Sequence, residues 1–395
     1  MDFKRLKGVR LKNKRVLIRV DFNVPRNKDG VITDDTRLDA AIPTLKHLQK
    51  AGAKTILLTH FGRPKGKVDE KFSTRFLVPA LVEKLDSEVF FSRELNPGVI
   101  ETLEAGSVIL LENTRFDPRE TKCEDGLSEA YAALGDIFVQ DAFSVAHRAH
   151  CSTTGIAKYL PAYAGLAMER ELDHLSLALE NPKSPVMAVV GGAKVSTKID
   201  LLNNLVKKLD MLAIGGGMAN TFLAAQGRNV GASLCEHDLT DMAKTILASA
   251  KKAGCEIILP VDVVLAKEFK AGAQSRTSGL DDVKKTDMIL DAGPQTVNLL
   301  ADKIDKAKTL IWNGPLGAFE IPPFDTSTVV AAKYVAKRAK SNGLIAVAGG
   351  GDTVAALKHA GANEDFTYIS TAGGAFLEWM EGKLLPGVEI LTQKA

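Results

Sequence analysis

Short runs rich in Val, Ile and Leu alternate along this chain with longer stretches of helical periodicity. That alternation is its most restrictive feature. The runs are Val16–Asn23, Thr55–Thr59, Val108–Glu112 and Ile137–Asp141 in the first half. Val186–Val190, Met211–Ile214, Ile257–Val261, Thr309–Trp312, Leu344–Ala348 and Phe366–Ser370 follow in the second. Apolar runs this short, separated by helical patterns, read as βα units around a parallel sheet buried on both faces. None approaches the ~20 residues of a membrane span, so no membrane association is expected.

The best boundary lies near 168–181. Met168, Leu172, Leu175 and Leu179 recur at helical spacing and make one apolar face, and Pro182 and Pro185 then end the helix. A helix joining two α/β domains is the simplest organisation for 395 residues. The formal net charge of +3 is too small to suggest a nucleic-acid partner. Four cysteines (Cys123, Cys151, Cys235, Cys255) are too few and too scattered for a disulfide framework, and the first residues lead into no apolar signal core. A cytoplasmic protein is therefore expected.

The two halves carry different chemistry. Thirteen of the sixteen arginines fall in residues 1–170, whereas the glycine runs Gly191-Gly192, Gly215–Gly217, Gly349–Gly351 and Gly373-Gly374 all lie beyond 190. Arginine forks grip phosphate bidentately. Glycine runs at strand-to-helix turns let backbone N–H groups cradle phosphates. One half thus reads as a receptor for a small, strongly anionic substrate and the other as a nucleotide site. Position supports this, because ligands of open α/β sheets sit beyond the carboxyl ends of the strands. Arg19, Asp21 and Asn23 end the first run and, at period two, point to one side. His60 and Arg63 follow the second run, Arg115 the third, and His147, Arg148 and His150 the fourth.

In the second half Lys194 and Lys198 follow Gly191-Gly192 at helical spacing, on one face of an expected helix start. Asp352 follows Gly349–Gly351 and reads as a helix N-cap, as a carboxylate for Mg²⁺ on phosphates, or as both. Neither GxxxxGK[ST] nor GxGxxG occurs, so the nucleotide is held without those devices. His147 and His150 beside Cys151 lack the further ligands of a zinc site.

These residues resemble the phosphoglycerate kinase family. The resemblance rests on Arg19-Val20-Asp21-Phe22-Asn23-Val24-Pro25, Asp35-Thr36-Arg37, His60-Phe61-Gly62-Arg63-Pro64, Leu111-Glu112-Asn113-Thr114-Arg115-Phe116 and Ala146-His147-Arg148-Ala149-His150. It continues through Gly191-Gly192-Ala193-Lys194-Val195-Ser196-Thr197-Lys198, Ile214-Gly215-Gly216-Gly217-Met218-Ala219 and Trp312-Asn313-Gly314-Pro315 with Glu320. Gly349-Gly350-Gly351-Asp352-Thr353 and Ser370-Thr371-Ala372-Gly373-Gly374-Ala375 complete it, in the family's order.

The resemblance implies two Rossmann-like three-layer domains, each with a mainly parallel sheet, joined by a helix and a hinge. Their expected bounds are 1–172 with 378–395 returning to it, a linker helix at 173–185, and 186–377. It implies phosphoryl transfer between ATP and the carboxylate of 3-phosphoglycerate, giving ADP and 1,3-bisphosphoglycerate with Mg²⁺, in a monomer that closes on its substrates. Asp21, Asn23, Arg37, His60, Arg63, Arg115 and Arg148 would hold the phosphoglycerate, with Phe22, Phe61 and Gly62 in the same loops and His147 and His150 in support. Gly215, Gly216 and Gly217 would pack near the adenine and Glu320 would take the ribose. Lys198, Asn313, Gly350, Gly351, Asp352 and Thr353 would meet the phosphates, Asp352 being the carboxylate at Mg²⁺. Arg37, Lys194, Gly373 and Gly374 would stabilise the group in flight.

The chain departs from the family pattern at Gln140, Ser144-Val145 and Ala372, where asparagine, Gly-Thr and glycine are usual. Two rival readings are another acyl-phosphate kinase and a silent metabolite binder. The arginine set argues against the first, and intact Arg37, Lys194 and Asp352 against the second.

Overall fold

The computed structural model describes residues 2–341 and 343–392. The outer limits expected for the first domain, 1 and 393–395, lie outside them. The described chain forms two compact units, one from the N-terminus to Asp173 rejoined from Leu384 onward, the other His174–Lys383. The first unit is re-entered at Leu384 and not at 378, because the helix Gly373–Met380 packs within the second unit, where Asn204 Nδ2 donates to Met380 O (2.5 Å).

The first unit holds a six-stranded sheet of β1 (Arg15–Arg19), β2 (Lys54–Leu58), β3 (Val89–Ser92), β4 (Val108–Leu111), β5 (Ile137–Gln140) and β6 (Ala162–Ala164). Its order is β3-β4-β2-β1-β5-β6, and every pairing is parallel. Central strands are buried along their length, as Val16, Leu17 and Ile18 show. That is why they read as continuous apolar runs, without alternation. The crossovers change side between β1 and β5, which makes this the switch point where ligands gather.

The second unit repeats the plan with β7 (Val186–Val190), β8 (Met211–Ile214), β9 (Glu256–Ile258), β10 (Asp262–Ala266), β11 (Ser275–Gly279), β12 (Met288–Ala292), β13 (Thr309–Asn313), β14 (Ile345–Gly349) and β15 (Tyr368–Ser370). The parallel sheet runs β15-β14-β13-β7-β8-β9, with its switch between β7 and β13. A separate antiparallel sheet, β11-β10-β12, stands beside it.

The predicted helix near 168–181 forms as an α-helix over Leu166–Leu175 that continues as a π-helical turn, Ser176–Glu180. Met168, Leu172, Leu175 and Leu179 are all buried, and the division between the units falls inside this helix.

Candidate functional site

In the first unit the strand ends deliver polar groups to interlocked loops. β1 stops at Arg19, so the alternation expected through Asn23 ends there. Arg19 is buried, and the side chain of Phe22 lies in the core. Phe22 contributes to the site only through the turn it anchors, where its N–H donates to Thr59 Oγ1 (3.0 Å). Asp21 is placed by three partners: Arg37 Nη1 (2.5 Å) and Ser144 Oγ (2.5 Å) donate to its Oδ2, and the Asn23 N–H donates to Oδ1 (3.2 Å). Burial pushes the Asp21 carboxyl up, but the Arg37 charge leads a set of neighbours that holds it below its ordinary value. Ser144, a departure from the family pattern, thus serves the site directly.

The loop after β2 is clamped by Asn113, which lies in the Leu111–Phe116 motif but carries no role expected from the sequence. Asn113 Nδ2 donates to Phe61 O (2.7 Å) and Phe72 O (2.9 Å), while its Oδ1 accepts from the N–H of Phe61 (3.3 Å) and of Arg115 (3.0 Å). Asn23 Oδ1 accepts from the Gly62 N–H (2.9 Å), and Arg115 Nη1 donates to Gly62 O (2.9 Å). Gly62 has φ +60°, and a Cβ there would collide with the Phe72 ring. Arg63 follows on the same loop and is exposed.

After β5, Arg148 Nε and His147 Nε2 lie 3.1 Å apart, and Thr153 Oγ1 ties Arg148 O (2.7 Å) to the His150 N–H (2.8 Å). Gln140, another departure, is buried and braces this loop: Nε2 donates to Thr153 O (3.1 Å), and Oε1 accepts from the Ala142 N–H (3.1 Å).

These groups share one positive field. Burial and then the charges of Arg19 and Arg148 bring the Arg115 guanidinium down to about 10. Burial, followed by Arg19, Arg115, Arg148 and His147, brings His150 to about 4. Burial and Arg19 also drive His60 well below the ordinary imidazole value. Under them lies Glu120, fully buried, which accepts from the Ser152 N–H (3.1 Å) and Oγ (2.5 Å). Burial raises the Glu120 carboxyl while Arg19 opposes the rise. Cations crowded this closely repel one another and gain most from a dianion among them. A groove of 720 Å³ runs on from here, lined by Asn23, Arg26, Arg37, Phe61 and Lys71 among others.

In the second unit glycines let three loops cross. A Cβ on Gly191 would overlap the Pro315 carbonyl, one on Gly314 (φ +104°) the Gly191 carbonyl, and one on Gly216 (φ +67°) would lie 2.7 Å from Gly192 O. Lys198 and Asn313 pin the crossing. Lys198 Nζ donates to Gly191 O (2.6 Å), Asn313 Oδ1 (2.6 Å) and Asn313 O (3.2 Å), and Asn313 Nδ2 donates to Gly349 O (2.7 Å). All three ammonium protons therefore have partners within the protein. Burial lowers Lys198 to about 8, against the charge of Asp352.

Lys194 and Lys198 do not share a helical face. Lys194 is extended (φ −137°, ψ 136°) and exposed, a 3₁₀ turn follows, and Lys198 is the residue before the helix Ile199–Leu205. Asp352 is not the N-cap of its helix either. Gly350 (φ +101°) takes that position, so Asp352 stands exposed in the first turn of Gly351–His359. The Gly314 N–H donates to Thr353 Oγ1 (2.8 Å).

The start of the helix Gly373–Met380 lies beside that of Gly351–His359, a Cβ on Gly373 coming within 4.0 Å of Gly351 N. Two helix N-termini thus present unpaired N–H groups to one place, an arrangement suited to anions. Ala372 has φ −93°, so glycine's freedom is not required there.

A cavity of 430 Å³ opens beside this cradle. Its walls include Gly216, Gly217, Leu234, Phe269 and Leu316, none predicted beyond the glycines, and Glu320 and Asp352 stand on its lining. Among the described residues, no group of three or more His, Cys, Asp or Glu side chains could hold a metal ion. Mg²⁺ needs no such group, because it is commonly held by one or two carboxylates together with substrate phosphates. Asp352 beside an anion cradle fits that requirement.

Comparison with known proteins points to one family. The family described as phosphoglycerate kinase matches residues 6–383. The phosphoglycerate kinase of Maricaulis maris is 59% identical, over 98% of this chain and 97% of its own. That of Rhizobium meliloti is 56% identical over the whole of both. Among solved structures, phosphoglycerate kinase from Coxiella burnetii superposes with a TM-score of 0.94 at 43% identity, covering 99% of each chain. The Pyrococcus horikoshii enzyme gives 0.80 at 30%, covering 98% of each.

Proposed function

The chain belongs to the phosphoglycerate kinase family, and from that premise we propose that it moves a phosphoryl group reversibly between ATP and the carboxylate of 3-phosphoglycerate. The observation that carries this reading is the contrast between the units. One holds Arg37, Arg115, Arg148 and His60 in a single positive field, and the other holds a glycine cradle between two helix starts.

Arg37, Arg63, Arg115 and Arg148 bind the acid's own phosphate and carboxylate, with Asp21 and Asn23 fixing the loops. Residues of the 430 Å³ cavity take the base, and Glu320 takes the ribose. The cradle around Gly350, Gly351, Asn313 and Thr353 takes the phosphates. Lys194, exposed and extended, is free to swing toward the transferring group, which Lys198 reaches only by giving up a bond it already makes. Mg²⁺ held by Asp352 and the nucleotide phosphates would neutralise charge on the oxygens.

A carboxylate acceptor, with an ordinary value near 4, is ionised at neutral pH, so no general base is needed. What remains is alignment and positive charge around the equatorial oxygens, supplied by Arg37, Lys194 and the N–H groups of Gly373 and Gly374. In-line transfer then requires closure about the 168–181 helix and the 371–380 stretch, which also excludes water as a competing acceptor. The protein acts as a monomer in the cytoplasm.

A hydroxylamine trap tests the reaction. With ATP, Mg²⁺ and 3-phosphoglycerate together, acyl hydroxamate is expected alongside ADP, and acetate or glycerate in place of the substrate should yield almost none. ADP without hydroxamate would mean transfer to a hydroxyl or to water and would overturn the proposal.

A further inference from the structure

Arg19 is buried at the carboxyl end of β1, and no part of the reaction above uses it. It is 1% exposed. Its Nη1 is held by the backbone of its own strand end and of β2, donating to Val20 O (2.5 Å) and Leu58 O (3.3 Å). Its Nη2 lies 3.0 Å from Nδ1 of His60.

That contact has only one chemically sensible assignment. A guanidinium carries donors and no acceptor, so a nitrogen within hydrogen-bond distance of it must accept. His60 Nδ1 therefore bears no proton. A ring without a proton on Nδ1 is neutral, and its single N–H is on Nε2. The charged groups around the ring agree. Arg19, Arg37 and Arg115 all act against a positive imidazole. Asp21 acts for it, but its Oδ1 is 3.9 Å from Nδ1, beyond hydrogen-bond range, and its Oδ2 is already taken by Arg37 and Ser144.

We propose that Arg19 is a positioning residue that holds His60 as the neutral tautomer protonated on Nε2, so that His60 serves the anionic substrate as a directional donor and not as a charge. An unconstrained histidine would gain and lose a proton near neutrality and would move between tautomers. His60 instead offers one fixed N–H across that range. The burial of both side chains and the push of Arg19 on His60 support the same assignment. Only the last step, the donation to substrate, rests on the proposed function; the tautomer is set within the chain.

The test is long-range ¹H–¹⁵N correlation spectroscopy of protein labelled at histidine, with His60→Gln used to assign the signals. A protonated Nε2 and an unprotonated Nδ1 are expected from pH 5.5 to 8.5. Arg19→Lys, which keeps a donor, should preserve the pattern. Arg19→Met should let His60 titrate within that window and make KM for 3-phosphoglycerate pH-dependent. At pH 8 the rise in KM should be about tenfold, the size of one charge-assisted hydrogen bond, with kcat much less affected. A proton on Nδ1 in the unmodified protein, or an imidazolium at pH 7, would overturn the proposal, and this reading does not depend on either variant folding. If the tautomer is as expected but added 3-phosphoglycerate leaves the Nε2 proton signal unmoved, His60 is not a donor to this substrate and that part of the proposal fails.

Discussion

Asn113 bonds with four backbone groups of two loops. Asn113→Ala leaves the N–H and C=O of Phe61 unpaired in a buried place. The expected cost is about 3 kcal/mol in urea unfolding, with a raised KM for 3-phosphoglycerate because Arg115 loses its support. Unchanged stability would show that water replaces the side chain. Lys198 makes a second prediction at this scale. Burial sets it at about 8, so at pH 8.5 it is largely neutral until a polyanion arrives and favours its charged form. Nucleotide binding at pH 8.5 should therefore take up a proton, seen in calorimetry across buffers of different ionisation enthalpy. Lys198→Met should abolish the uptake. Sequence reasoning found Lys198 but paired it with Lys194 on a helical face, because a spacing of four says nothing about where the helix begins. The placing of Asp21 and Asn23 on one side with Arg19 fails for a similar reason: period two holds only while the strand lasts, and β1 stops at Arg19.

Three helices begin on carboxylates borrowed from strand ends. Asp141 accepts from the N–H groups of Ala167 (2.9 Å) and Met168 (3.1 Å), Asp262 from Gln295 (3.0 Å) and Thr296 (2.7 Å), and Asp291 from Ser327 (2.9 Å). Each presses on a glycine, at 165, 293 and 317, where a Cβ would collide with the carboxylate. Such caps satisfy helix N-termini and favour their dipole from a distance in sequence that no local motif reveals. Burial raises Asp141 to about 7. Because the folded value lies above the unfolded one, its contribution to stability is fully present below about 4 and is lost as pH rises through 7. The difference in unfolding free energy between the unmodified protein and Asp141→Asn should thus grow as pH falls from 7 to 4. A difference independent of pH would count against the assignment. The longer strands of the two parallel sheets were legible because burial on both faces leaves an unbroken apolar run. Short β3 and β6 were not, nor was the antiparallel sheet of β10, β11 and β12, in which β11, Ser-Arg-Thr-Ser-Gly, is mostly exposed and carries no apolar run.

For the whole molecule, the contrast between an arginine-rich unit and one that carries the glycine runs was visible in composition before any element was placed. What composition could not supply was the support beneath the site: Glu120 under the arginines, the Asn113 clamp, the apolar walls of the 430 Å³ cavity. These are ordinary residue types whose task depends on neighbours far away in sequence. Closure on both substrates is the prediction that belongs here. Small-angle scattering should show a smaller radius of gyration with both ligands than with either alone, and no compaction would count against it. Hydrogen exchange should then change most within 168–181 and 371–380.

The first unit is not continuous in the chain. Lys4 joins its two ends, donating its N–H to Leu391 O (3.0 Å) and accepting from the Ala164 N–H (2.8 Å), and the Gly387 N–H donates to Ala146 O (2.8 Å). Val388 and Leu391 are buried there. On the ribosome, residues 384–392 are made only after the whole of 174–383, so the unit begun first is completed last. During synthesis the nascent protein must carry an unfinished edge along β6 while the second unit, already entire, folds behind it.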